Sequence, residues 1–366
     1  MKFILKQPKK IKVKIRLHIN NMYFNKTFQK FCKDKNLKDS TIKGYASALK
    51  NYSEFHEKTL DELIKEALTE EKKNVPLKER KIKSHLLNYR NHLLESNLTP
   101  KTSKTYFSKI KTFYRYLEIE IPNLPNAKYN KSYETNYLDL PTHKHLYQAM
   151  EIIPIDLKAI ILFMSSSGTA KAETLSITLE QFITATQDYH NGGSIEEVLT
   201  SLEHKNNIIP TFYLKRIKTD KYYYTFCSPE STTHIIRYLK TRKNLKLDDK
   251  LFDISSSTLT TKFQEINDKL GWGFKGKHRF FRSHTLRKFH ASNIGLTAEY
   301  IDALQGRGKN EVHDTYIKTN PKKLKEIYKK AMHNVMIYQK QGPTVKKQEF
   351  NIIINIFLSG KEYNIQ

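Results

Sequence analysis

The stretch Asp39-Ser40-Thr41-Ile42-Lys43-Gly44-Tyr45-Ala46-Ser47-Ala48-Leu49-Lys50-Asn51-Tyr52 decides the class of the first third of the chain. Ile42, Tyr45, Leu49 and Tyr52 recur at three- and four-residue steps, the spacing that lines one face of an α-helix. Asp39-Ser40 supplies a candidate N-cap. The same spacing returns in Ile82, Leu86, Tyr89 and Leu93. It returns again in Tyr106, Ile110, Phe113 and Leu117 after the capping pair Thr99-Pro100. Residues 23–119 therefore read as a small helical bundle. Its other faces carry Lys43, Lys50, Lys83, Arg90, Lys101, Lys104, Lys109, Lys111 and Arg115 among Ser and Thr, a composition suited to phosphates or to plain solvation.

From Glu120 to Thr142 the period stops, and Pro122, Pro125 and Pro141 lie among Asn, Lys and Tyr. That composition predicts a linker, with a boundary near residue 135. Beyond it comes a helix after Pro141-Thr142, an apolar helix ending at Met164, a Ser-Ser-Ser-Gly turn and a short helix from Ala172. Two strand-like runs, Ile208–Leu214 and Tyr222–Cys227, flank a basic connection, and the rest is mostly helical. The expected fold class is mainly α, two domains, with one small antiparallel sheet in the second. Residues 1–20 form a basic N-terminal segment and residues 341–366 a tail, for which docking on a neighbouring copy is expected.

The whole chain has 366 residues, enough for two cores, and a formal net charge of +27. Residues 1–130 contribute +16 and residues 131–366 contribute +11, so both parts are basic. An extended polyanion is the expected partner. Apolar runs such as Ala159–Met164 and Ile352–Leu358 fall short of the roughly 18–20 residues of a membrane span. The basic start lacks the apolar core and cleavage site of a secretory signal, so a cytoplasmic location is expected. Cys32 and Cys227 stand far apart with no metal-ligand spacing, which fits a reducing compartment and predicts no metal site and no cofactor.

Four local features of the second region could carry chemistry, although each alone has a plain structural explanation. His284 and Arg287 sit three apart at a helix start, so they share a side. Gly271, Gly273 and Gly276 before them permit an irregular loop that matches no nucleotide motif. Lys215-Arg216-Ile217-Lys218-Thr219-Asp220-Lys221 puts cations on the turn between two strands, able to extend into a groove. Ser165-Ser166-Ser167-Gly168-Thr169-Ala170-Lys171-Ala172-Glu173 ends one helix and begins another, with Glu173 favoured in the first turn. Finally, Gly306-Arg307-Gly308-Lys309 precedes Tyr316.

In their order and spacing these features resemble the tyrosine recombinases, the phage-integrase family, and especially its archaeal members. The resemblance spans a core-binding (SAM-like) bundle over 21–120, a linker over 121–137 and a catalytic domain over 138–340. It implies a tyrosine recombinase fold and site-specific cutting and rejoining of double-stranded DNA through a 3′-phosphotyrosyl intermediate. Tyr316 matches the nucleophile, nine residues after the family's histidine column, here Arg307. Arg287 and His284 match the His-x-x-Arg box. Lys218, before Ser228-Pro229-Glu230, matches the hairpin lysine. Gly168 and Glu173 match the first box, whose arginine column holds Ala170, with Lys171 as the nearest cation.

By this resemblance Arg287, Lys171 and Arg307 would neutralise the nonbridging oxygens, His284 would assist proton transfer and Lys218 would protonate the leaving 5′ oxygen. Glu173 would support the first cation. Lysine lacks a planar fork for two phosphate oxygens, and Arg307 is no neutral base, so these two departures predict weaker catalysis. His313 is a nearby substitute of different spacing. Lys43, Lys50, Lys101, Lys104, Lys109, Arg216 and Lys309 are the expected DNA contacts, and a homo-oligomer, a tetramer at synapsis, is expected on DNA. A catalytically impaired DNA-binding relative and a type IB topoisomerase-like relaxase remain open.

Overall fold

A computed structural model describes residues 22–128, 136–307 and 320–338. The chain divides into two compact units, Met1–Glu134 and Thr135–Gln366.

The first unit holds five α-helices among its described residues: α1 (Lys26–Asp34), α2 (Asp39–His56), α3 (Leu60–Lys72), α4 (Lys81–Glu95) and α5 (Pro100–Tyr116). The apolar stripes meet where the spacing puts them. Leu49, Tyr52, Leu86, Tyr89, Ile110 and Phe113 are fully buried, whereas Ile42, Tyr45 and Tyr106 lie partly buried at the edge. The buried tyrosines find partners: the Tyr52 and Tyr114 hydroxyls lie 3.3 Å apart, and Tyr89 donates to Asn51 at 2.7 Å. Thr99 accepts from the Thr102 N–H and Pro100 occupies the first turn of α5, the cap its sequence announces. At α2 the helix begins one residue earlier than its sequence suggests. Lys38 is the N-cap and Asp39 lies in the first turn, where its carboxylate faces the positive end of the helix. The helix α3 carries a signal of its own, the capping box Thr59-x-x-Glu62.

In the second unit the order is α6 (His143–Ile152), α7 (Ile155–Ser167), α8 (Lys171–Ser176), α9 (Leu179–Ala185), α10 (Ile195–Glu203), β1 (Thr211–Lys215) and β2 (Tyr222–Phe226). Then follow α11 (Pro229–Lys240), α12 (Ser256–Lys269), β3 (Phe274–Lys275), β4 (His278–Arg279), α13 (Ser283–Asn293), α14 (Ala298–Leu304) and α15 (Pro321–Ala331). The helix α7 is apolar nearly all round, with Ala159–Met164 buried, and packs against α11 and α13 as the axis of the core. The strands β1 and β2 pair antiparallel, Thr211 opposite Phe226 and Lys215 opposite Tyr222. The glycine-rich loop differs from its sequence reading. Gly276, at φ +60°, closes a second small hairpin of β3 and β4 rather than an irregular loop.

Ser228-Pro229-Glu230 has a structural explanation. Ser228 caps α11, Pro229 fills its first turn, and the Glu230 carboxylate accepts the N–H groups of Ile337 and Tyr338 at 2.7 and 2.9 Å. Tyr328 of α15 donates to the Ser166 carbonyl at 3.0 Å. Both ties fasten residues 320–338 to the core. The basic segment 1–20, the tail 341–366, and Lys309, His313 and Tyr316 lie outside the described residues.

Candidate active site

The helix α7 ends at Gly168, whose φ of +67° lies in the left-handed region favoured by glycine. A Cβ there would lie 2.6 Å from His290 Nδ1 and 2.7 Å from Gln305 Nε2, so the α7 end, α13 and the α14 end meet at this point. Arg287 binds them together. Its Nη1 donates to the Gly168 carbonyl at 2.8 Å and its Nη2 to the Gln305 carbonyl at 2.7 Å. Gln305 Nε2 answers with bonds to the Arg287 carbonyl and His290 Nδ1 at 3.1 and 3.0 Å. Gly306, at φ +62°, lies against the Tyr223 ring, where a Cβ would come within 2.6 Å of Cδ1. That close approach positions the next residue, Arg307, whose guanidinium lies 3.8 Å from Asp302.

The cation beside Glu173 differs from the expected one. Glu173 is 3% exposed and holds Arg216, 15% exposed, at 2.8 Å between Oε1 and Nη1. Lys171 turns elsewhere: its ammonium donates to the Ser256 carbonyl at 3.1 Å and the Thr260 hydroxyl at 2.7 Å, at the start of α12. The expectation that Glu173 supports Lys171 is thus corrected, and Arg216 packs beside Glu173 rather than standing free on the turn. The physical reason is the period of two along β1. Phe212 and Leu214 point into the core, Tyr213 and Lys215 point out, and Arg216 continues the inward series. Its N–H pairs with the Lys221 carbonyl at 2.7 Å, prolonging the ladder by one rung. Lys218 is exposed on the turn.

Electrostatics ties these groups into one cluster. Burial, then the charges of Arg216 and Arg307, bring the Arg287 guanidinium down to about 10. Desolvation by its neighbours, followed by the charges of Arg282, Lys288, Arg287 and Arg307, holds His284 down to about 4 although the residue is exposed. Its imidazole is neutral at pH 7 and retains a lone pair. The structure thus brings together Arg287, Arg307, Arg216, Glu173 and His284 of the sequence candidates, and adds Tyr223, His290 and Gln305. Among the described residues, no group of three or more His, Cys, Asp or Glu side chains could hold a metal, and no helix is long and apolar enough to cross a membrane.

His290 is fully buried, and that burial holds it at about 3, below the 6.5 of an ordinary histidine. The unfolded chain therefore accepts protons there that the folded chain refuses. Stability from this group is complete above pH 6.5 and declines as pH falls toward the folded value, by up to about 1.4 kcal/mol per pH unit. Calorimetry is expected to show Tm falling on acidification below about pH 6.5, less steeply in His290→Gln.

In the first unit, Lys43, Lys101 and Lys104 are exposed, while Lys50 is partly buried and lies 3.8 Å from Glu54. Lys109 lies 5.2 Å from the Tyr45 ring centroid, crossing the space that Gly44 leaves on α2. These side chains occupy α2 and α5, which pack on each other.

Residues 24–122 match the family model for the phage integrase N-terminal SAM-like domain. No curated protein matches the chain in sequence. Among solved structures, the XerH site-specific recombinase in a post-cleavage complex with a palindromic difH substrate is similar at 16% identity. There 87% of this chain and 88% of that one are covered, with a TM-score of 0.46. A lambda integrase tetramer bound to a Holliday junction is similar at 12% identity over 87% of this chain and 90% of that one, with a TM-score of 0.47. An integrase from the mycobacterium phage Brujita is similar at 10% identity over 86% and 93%, with a TM-score of 0.35.

Proposed function

We propose that this chain, whose residues 24–122 match the phage integrase N-terminal SAM-like domain, is a site-specific recombinase of the tyrosine recombinase type that cuts and rejoins DNA through Tyr316. The observation that carries this reading is the cluster of Arg287, Arg216 and Arg307 around the Gly168 turn, with Glu173 and Asp302 as the carboxylates against it. A group of like charges held together by the fold is costly, and a phosphodiester supplies the missing anion.

In the proposed reaction the Tyr316 phenolic oxygen attacks the scissile phosphorus, and its proton passes to neutral His284. The bond to the 5′ oxygen breaks as the phosphotyrosyl bond forms, and Lys218 gives that oxygen a proton. Arg287 and Arg307 stabilise the charge on the nonbridging oxygens. The phosphotyrosyl link stores the bond energy, so a 5′ hydroxyl of another strand reverses the step without ATP. The basic faces of α2 and α5 would hold the flanking duplex, with Lys43, Lys50, Lys101, Lys104 and Lys109 on phosphates. Joining two sites requires several copies on DNA, a tetramer in the simplest scheme.

Incubation with sequence-randomised nicked duplexes tests this proposal. A detergent-resistant protein–DNA complex is expected, followed by strand transfer to a second duplex carrying a free 5′ hydroxyl. A complex that only reseals its own strand identifies a relaxase, and binding without any complex identifies a non-catalytic relative. Lys218→Ala is expected to slow cleavage by about 10²–10³-fold, the contribution of a positioned acid. A 5′-bridging sulfur in place of oxygen should restore the rate, because a thiolate leaves without a proton. Loss without that rescue assigns Lys218 another role.

A further inference from the structure

We propose that Arg216 is a catalytic residue of this chain, gripping a nonbridging oxygen of the scissile phosphate from the end of β1, and that Lys171 does not share that task. The inference rests on the recombinase reading. It starts from the donor count of a guanidinium, five N–H groups in a plane, of which the Glu173 carboxylate takes one through Nη1.

A purely structural pair would be complete with Glu173. Instead Arg216 also lowers the proton affinity of Arg287, ahead of the opposing effect of Glu173, so the two guanidiniums lie within electrostatic reach of each other. Arg307 acts on Arg287 in the same sense. Two further polar groups of the same cluster are buried without a hydrogen-bond partner among the described residues: the second Glu173 oxygen and the Tyr223 hydroxyl. Tyr223 is 1% exposed and feels the charges of Glu173, Arg287 and Arg216. Burial first, then Glu173, raises its pKa well above the usual value, so the hydroxyl remains a neutral donor. A partly buried guanidinium held by Glu173, a second, buried guanidinium on the Gly168 and Gln305 carbonyls and an unpartnered buried phenol together form a built anion site.

Lys171 lacks these attributes. Its ammonium already serves the Ser256 carbonyl and the Thr260 hydroxyl, on the side of α8 that meets α12. The neighbouring Ala170 offers no donor beyond its backbone. Glu173, in the first turn of α8, has its partner delivered from just beyond the end of β1 and so holds that guanidinium rather than any residue of its own helix.

The test uses the full-length chain and the duplex recovered from wild-type covalent complexes, resynthesised with either a phosphate or a neutral methylphosphonate at the scissile linkage. On phosphate, Arg216→Ala is expected to reduce the cleavage rate by about 10²–10³-fold, as for the loss of one oxyanion donor. On methylphosphonate, whose transition state carries one negative charge fewer, the defect of the variant should shrink toward the wild-type rate. Arg216→Ala/Glu173→Gln removes both charges and guards against misfolding from a stranded carboxylate. Wild-type cleavage by this double variant, a defect that methylphosphonate leaves unchanged, or a larger loss in Lys171→Ala than in Arg216→Ala would overturn the assignment while leaving the recombinase reading intact.

A wild-type protein that forms no covalent complex would remove the recombinase reading, and the anion site is then judged alone. Orthovanadate binding, followed by vanadium NMR on Tyr316→Phe protein, should be lost in the Arg216→Ala/Glu173→Gln background. Unchanged vanadate binding, or none in the parent, overturns the site itself.

Discussion

Tyr316→Phe is expected to abolish covalent capture of nicked DNA, lowering the cleavage rate by at least about 10⁴-fold, the scale on which enzymes lose activity when a covalent nucleophile is deleted. Phenylalanine keeps the ring and loses only the attacking oxygen, so folding and duplex affinity should stay near wild type. Affinity rests on many phosphate contacts spread over both basic parts of the chain, and one hydroxyl contributes little to that sum. A gel-shift titration beside a denaturing gel separates the two quantities. Loss of both together would point to a folding defect, and retention of both would remove Tyr316 from the chemistry.

Arg287→Ala carries the second large effect because two functions converge on one side chain. As a donor to the phosphate it is worth about 10²–10³-fold, and as the clasp between the Gly168 and Gln305 carbonyls it positions the turn and the approach to Arg307. A rate loss of at least about 10³-fold is therefore expected, with some stability lost as well, because each buried carbonyl left unpaired costs about 1–3 kcal/mol. Arg287→Lys retains charge but cannot reach both carbonyls with a planar fork. It should recover part of the stability and little of the rate. Denaturant unfolding measured beside cleavage checks that separation, and recovery of the rate by lysine would show that charge alone suffices.

What the sequence discloses and what it hides follow from the range of each signal. The α2, α4 and α5 stripes repeat over four positions each, and such local periodicity survives any arrangement of the helices; Leu49, Tyr52, Leu86 and Phe113 are accordingly buried. The strands were legible from their aromatic runs, and their alternation also held the answer for Arg216, since Phe212, Leu214 and Arg216 share one parity. Reading that turn as a row of equivalent cations hid it. Lys171 misleads for the opposite reason. Proximity to Glu173 in sequence says nothing about which element approaches α8 from outside, and β1 and α12 do so from different directions. Gln305 and His290 carry no sequence flag at all, because their role comes from the crossing of α7, α13 and α14 at Gly168.

The account stands or falls on a phosphotyrosyl bond. Wild-type protein trapped on a nicked duplex, digested with protease and nuclease and analysed by mass spectrometry, should yield one peptide bearing a nucleotide through its 3′ phosphate on Tyr316. A nucleotide on any other side chain, a 5′ linkage, or cleaved DNA with no attached peptide would contradict it.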